Sequence, residues 1–268
     1  MEGVRTDARD LPAPRVDLNC DLGESFGHWS LGCDRDVLAV VSSANVACGM
    51  HAGDPVVMRR TIGLAREAGC SVGAHPGYPD LQGFGRRALA MAPEDVYAYV
   101  QYQVAALAGM CRAQGVTLRH VKPHGALYNA SARDERVAAA VARAVADLDG
   151  DLVLVGLAGS ASVRAARAAG LRVAEEFFAD RGYAADGALV PRDRPGALVT
   201  DAAVAAARTL RAVTRREVIA TDGTVLPVTC DTVCVHGDNP AALAFARAVR
   251  DEIRRAGVTV APTWEARA

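Results

Sequence analysis

Aromatic residues make up only 5% of this 268-residue chain, and positive charge has no excess, with 30 Lys+Arg against 31 Asp+Glu. A nucleic-acid partner, which would be held by base stacking and phosphate neutralisation, is not expected from such a composition. No apolar run approaches the ~18 residues of a membrane span, so no membrane partner is expected either. The seven cysteines are scattered, odd in number and without a Cys-x-x-Cys pair, which argues against a disulfide framework or a zinc knuckle. Residues 1–15 carry Pro12 and Pro14 among alternating charges and no apolar signal core, and read as a loose lead-in. The expected location is the cytoplasm. The Walker loop and the dinucleotide glycine fingerprint are both missing, so ATP, if used, is not held by a recognisable P-loop.

What is present is ample apolar material, 51% hydrophobic against 23% charged, enough for a sizeable core. Strand-like runs beginning near Val16, Val40, Cys70, Leu118, Leu152, Leu171 and Thr232 alternate with helical patterns. Two helices open on Asp54-Pro55 and Asn239-Pro240, a polar cap before Pro at the first helical position. Gly69, Gly115, Gly170 and Gly257 supply the matching stops, and further helices fit 93–114, 134–148, 160–169 and 201–213. Around Asp222-Gly223 the rhythm breaks into a hairpin over 216–228. About seven strand-then-helix units imply an α/β domain over 16–268, either a closed parallel barrel or a doubly wound open sheet.

The chemistry should lie where strands end. In Val16–Glu24 alternation places Asp17, Asn19 and Asp21 on one face, and burying three such side chains requires partners or a ligand. His120, Lys122 and His124 share a face if their strand persists past Pro123; Glu176, Phe178 and Asp180, and Cys234, His236 and Asp238, alternate likewise. Asn45, His51 and Asp54 lie in a Gly-punctuated turn, where Asp54 reads as a helix cap. His75 stands at another strand exit, and Arg86 and Arg87 sit on a flexible loop suited to a carboxylate or phosphate. Cys48 reads as an unactivated buried thiol. Ionisable groups at the exits of most strands suggest one shared mouth.

Several of these runs, Asp17–Glu24, Ser43–Pro55, Gly73–Asp80, Gly83–Arg87, Val121–Asn129, Phe178–Tyr183 and Cys234–Asp238, closely resemble in order the motifs of the LamB/YcsF family. That family supplies one subunit of bacterial ATP-dependent 5-oxoprolinase. The resemblance implies a distorted (β/α)7 TIM-like barrel related to glycoside hydrolase/deacetylase barrels. It implies ring opening of 5-oxo-L-proline to L-glutamate coupled to ATP hydrolysis, with ATP carried with Mg2+, and two partner subunits, B and C. Self-association of the chain is compatible with this reading. For the chemistry, Asp21, His51 or His124 would act as base, and Lys122 would stabilise negative charge. Arg86 and Arg181 would hold a carboxylate or phosphoryl group, with Asn19, Glu24, Asn45, His75, Glu176, Asp180, His236 and Asp238 shaping the remainder. Two other readings remain: a metal-dependent amidase or deacetylase using Asp and His from different strand exits, and a non-catalytic lactam-binding scaffold.

Overall fold

The computed structural model describes residues 14–235 and 242–264. Among these, strands β1 (Arg15–Leu22), β2 (Ser43–Ala47), β3 (Ser71–His75), β4 (Leu118–Val121), β5 (Val153–Leu157) and β6 (Arg172–Phe178) pair side by side in parallel. The hairpin β7 (Glu217–Ile219) and β8 (Val225–Pro227) stands apart as its own antiparallel sheet. β9 (Thr232–Val235) then pairs with both β6 and β1, and this double pairing closes a seven-stranded barrel. Closure excludes the open doubly wound sheet. The two-residue β10 (Thr259–Val260) adds to the start of β1.

Helices α1 (Asp34–Leu38), α2 (Pro55–Glu67), α3 (Pro93–Ala113), α4 (Gly125–Arg133), α5 (Glu135–Ala146), α6 (Ala161–Ala168), α7 (Ala202–Arg215) and α8 (Ala242–Arg255) accompany the strands. Asp54 caps α2 as expected, accepting from Val56 N at 2.8 Å and Val57 N at 2.9 Å. Gly69, Gly115, Gly170 and Gly257 follow their helices at positive φ, where a Cβ is disfavoured. No described helix is long and apolar enough to cross a membrane.

Some boundaries differ from the sequence reading. β2 starts at Ser43, not near Val40, because the N–H groups of Val40 and Val41 bond back to Val37 O and keep the chain turning. Arg15, assigned to the lead-in, already pairs with Thr259. β4 ends at Val121, so His124 is not on the strand but at the N-terminus of α4, a helix concealed by Pro123 and Gly125. The expected Asn239-Pro240 helix start lies outside the described residues.

The main apolar core lies between strands and helices, with Leu18, Leu22, Ile62, Leu107 and Leu154 fully covered. Inside the barrel the filling is largely polar. A small apolar cluster of Val153, Val155 and Ala174 is packed by Trp264, which also meets His120 at 4.9 Å between ring centroids. Deepest on β1, Asp17 accepts from the hydroxyls of Ser42 at 2.6 Å, Ser43 at 2.7 Å and Thr232. Burial, only partly offset by these hydroxyls, pushes its carboxyl up to about 6.

A carboxyl whose folded pKa is raised binds a proton that the unfolded chain has already released, so it favours folding at acid pH and loses that contribution as pH rises through about 6. Relative to Asp17→Asn, the wild type is expected to lose about 1–2 kcal/mol of stability between pH 5 and 7.5. Urea unfolding of both proteins at the two pH values measures this, and parallel behaviour would show that Asp17 titrates normally.

Candidate active site

A pocket of about 490 Å³ opens at the carboxyl ends of the barrel strands. Asp21, Glu24, His75, Lys122 and His124 line it together with Arg86, Arg133, Arg181 and Arg192. Asn129, Tyr128 and Phe178 complete much of the wall. Strand ends thus bring Asp21, His75 and Lys122 into one mouth, as their positions in sequence foretold.

Beneath the pocket runs a continuous hydrogen-bonded network. Lys122 Nζ reaches Glu176 Oε1 at 2.9 Å, Asn19 Oδ1 and Asp21 Oδ1 at 3.0 Å each, and Cys234 Sγ at 3.1 Å. Phe178 presents its ring to the same ammonium at 5.4 Å. Burial works against the charge on Lys122, but Asp21 and Glu176 outweigh it and hold the ammonium well above its usual pKa. Asn45 donates to Asn19 Oδ1 at 2.8 Å and Asp21 Oδ1 at 2.9 Å, and accepts from His120 Nε2 at 2.8 Å. Asn19 in turn donates to Glu176 at 2.9 Å and Thr232 at 2.7 Å. Burial lowers His120 to about 3, so it serves as a neutral donor. Gly73 makes room for it: a Cβ there would overlap the His120 ring at Nε2.

Asn19, Asn45 and Glu176 therefore form the pocket's supporting layer and do not line it. His51, expected to be catalytic, also stands behind the lining: fully buried, it stacks on His124 with centroids 3.7 Å apart and planes at 2°. Its Nε2 lies 3.3 Å from Glu24 Oε1. Together Glu24, His51, His75 and His124 place one potential ligand atom each within 4.8 Å of the others. Burial raises the Glu24 carboxyl above its usual pKa despite the neighbouring His124.

The loop over residues 80–87 fixes this corner. Asp80 accepts from Arg87 Nε at 2.9 Å and Gly83 N at 3.0 Å, so Arg87 is committed to the loop and only Arg86 of the pair lines the pocket. Phe84 takes a left-handed φ of 54°, a conformation costing a non-glycine residue about 1–3 kcal/mol, and aims its carbonyl at His124 Nε2, 2.8 Å away. Gly85 is required beside it, since a Cβ would meet His51 Cβ at 2.7 Å and His124 Cδ2 at 2.8 Å.

Arg181 lines the pocket but donates to the carbonyls of Ala197 at 3.2 Å and Val190 at 2.6 Å, which ties it to the loop after β6. Asp180 is not among the lining residues, and His236 and Asp238 lie outside the described residues. Burial pushes the Cys48 thiol up to about 12, in keeping with an inert core cysteine. Sequence reading missed Arg133, Arg192 and Tyr128. It also passed over one available signal: Lys122 is the single lysine of the chain.

A closed parallel barrel with its ionisable groups gathered at the strand carboxyl ends has the build of a barrel enzyme. The chain belongs to the LamB/YcsF family, which it matches over residues 16–268. It is 55% identical over 249 residues to the 5-oxoprolinase A subunit of Symbiobacterium thermophilum, covering 93% of this chain and 95% of that one. It is 56% identical over 245 residues to the 5-oxoprolinase A subunit of Chloroflexus aggregans, covering 91% and 97%. The crystal structure of the lactam utilization protein from Thermus thermophilus superposes with a TM-score of 0.88 at 49% identity, covering 92% of this chain and 99% of that one.

Removing one partner of a buried ion cluster leaves the others uncompensated. Lys122→Met, which strands Asp21 and Glu176, is expected to destabilise the fold by about 3–5 kcal/mol. Denaturant unfolding checks this; a loss below about 1 kcal/mol would show that the cluster is not held by the ammonium.

Proposed function

We propose that the chain opens the cyclic amide of 5-oxo-L-proline to give L-glutamate, as one of three subunits that couple the reaction to conversion of ATP into ADP and phosphate. The observation that carries this reading is a pocket combining Asp21, Lys122 and imidazoles with four guanidiniums, in a chain more than half identical to proteins named as the 5-oxoprolinase A subunit. ATP, carried with Mg2+, phosphorylates the amide oxygen and leaves as ADP; a first water adds to the ring carbon and the C–N bond breaks, the ring nitrogen taking a proton to become the amine. A second water then cleaves the resulting acyl phosphate into the glutamate side-chain carboxylate and phosphate. Asp21 is the base that receives the water proton. Lys122 and Asn45 hold Asp21 Oδ1, which leaves Oδ2 directed towards His75 Nε2 at 3.3 Å. Lys122 meets four acceptors, so its main effect is to fix Asp21 and set the local charge. Arg86, Arg133, Arg181 and Arg192 provide positive charge for the substrate carboxylate and a transferred phosphoryl group. A second reading, metal-dependent amide hydrolysis without ATP, is favoured by the Glu24, His51, His75 and His124 cluster.

Glutamate release from 5-oxo-L-proline, with the chain alone and with two candidate partner subunits, each with and without ATP, separates these readings. Glutamate is expected only with partners and ATP, and Asp21→Asn in the assembled complex is expected to lower kcat by about 10²–10⁴-fold. Glutamate formed without ATP would favour the second reading; none in any arm, from folded and associated proteins, would remove this substrate.

A further inference from the structure

Two imidazoles in the pocket wall are each committed on one nitrogen. His75 Nδ1 lies 2.7 Å from the Lys122 carbonyl oxygen, and His124 Nε2 lies 2.8 Å from that of Phe84. A carbonyl oxygen only accepts, so both of these nitrogens carry the hydrogen. In neutral rings the remaining nitrogens, His75 Nε2 and His124 Nδ1, then carry lone pairs, yet they face each other at 3.0 Å. Glu24 adds a third acceptor, its Oε1 standing 3.5 Å from His124 Nδ1, and Asp21 a fourth, its Oδ2 standing 3.3 Å from His75 Nε2. Four acceptors with no hydrogen between them repel unless a cation stands among them. A shared proton is one such cation, but it bridges only one pair of these atoms at a time and leaves the other acceptors facing each other.

We propose that His75 Nε2, His124 Nδ1 and the Glu24 carboxylate bind one divalent cation of the zinc, cobalt or manganese class. Around such an ion a tetrahedral shell at about 2.0–2.1 Å sets neighbouring ligand atoms about 3.3 Å apart, and the 3.0 and 3.5 Å separations bracket that spacing. Two imidazoles select against magnesium and calcium, which prefer oxygen throughout. The backbone carbonyls of Lys122 and Phe84 act as the outer partners that set tautomer and ring orientation at metal sites. His51 is a positioning residue and not a ligand. Its ring lies parallel to His124 at 3.7 Å, so an ion in the plane of His124 stands outside the plane of the His51 lone pair. Instead His51 Nε2 holds the Glu24 carboxylate. This site goes beyond the lactam reading and does not rest on it: the metal binds whether or not 5-oxo-L-proline is the substrate.

The full chain, stripped with a chelator and dialysed, is titrated with Zn2+ by calorimetry and with Co2+ by visible absorption, neither of which reads activity. One ion per chain is expected, with Kd on the order of 1 μM or tighter. His75→Gln, His124→Gln and Glu24→Gln should each weaken binding by more than about 100-fold, whereas His51→Gln should remain stoichiometric with a loss of no more than about 10–100-fold. In wild-type chain labelled with 15N-histidine, Zn2+ should shift His75 Nε2 and His124 Nδ1, a readout that stands even if a variant fails to fold. Absence of Zn2+ and Co2+ binding to the folded wild type below 1 mM, on the order of thousandfold weaker than expected, overturns the site. So does wild-type affinity in the folded His75→Gln/His124→Gln double variant, or a Zn2+ shift centred on His51. Metal binding without glutamate formation would overturn the lactam reading and leave this one standing.

Discussion

The charge of one buried ammonium organises the interior of this barrel. Lys122 sits where β1, β6 and β9 converge and bonds to a side chain from each: Asp21 and Asn19, Glu176, and Cys234. Two carboxylates drawn towards one cation, with Asn19 and Asn45 taking the remaining hydrogen bonds, lock the relative rotation of the strands that close the barrel. An arginine would fit this cradle poorly, because its planar fork suits one flat partner, whereas the compact ammonium accepts partners from several directions. In a chain that uses arginine at every other basic position, the single lysine marks the place where that difference matters.

The mouth depends on a second constraint, the loop over residues 80–87. Asp80 and Arg87 tie its ends, and the left-handed Phe84 turns a carbonyl towards His124 while its ring packs edge-on against His51 and His124. A strained backbone and a glycine with no room for a Cβ are sustained for the orientation of one imidazole. The proposed metal chemistry draws on that orientation, since it decides which nitrogen of His124 faces the pocket.

Much of the architecture was legible because period-two and helical patterns report burial directly: seven barrel strands, the hairpin around Asp222-Gly223 and the caps at Asp54 and the trailing glycines all correspond. The depth of each polar residue was not legible. Alternation says that Asp17, Asn19 and Asp21 share a face, but successive residues on that face are about 6.6 Å apart along the strand. Only Asp21 therefore reaches the pocket, with Asn19 beneath it and Asp17 near the barrel floor. Glu176 is set below Phe178 for the same reason. His51 and His124 come from loops, where no periodicity fixes orientation, and their stacking follows from the packing of Phe84 and Gly85. Arg133 and Arg192 carried no pattern at all; helix α4 and the loop after β6 bring them to the rim.

Confining the only lysine to the barrel interior leaves the described surface without a single side-chain primary amine. Cationic character there comes entirely from guanidinium groups, which acyl-transfer reagents and lysine-directed enzymes do not modify. An amine-reactive label at Lys122 becomes a reporter of the barrel coming apart, silent while the seven strands remain closed.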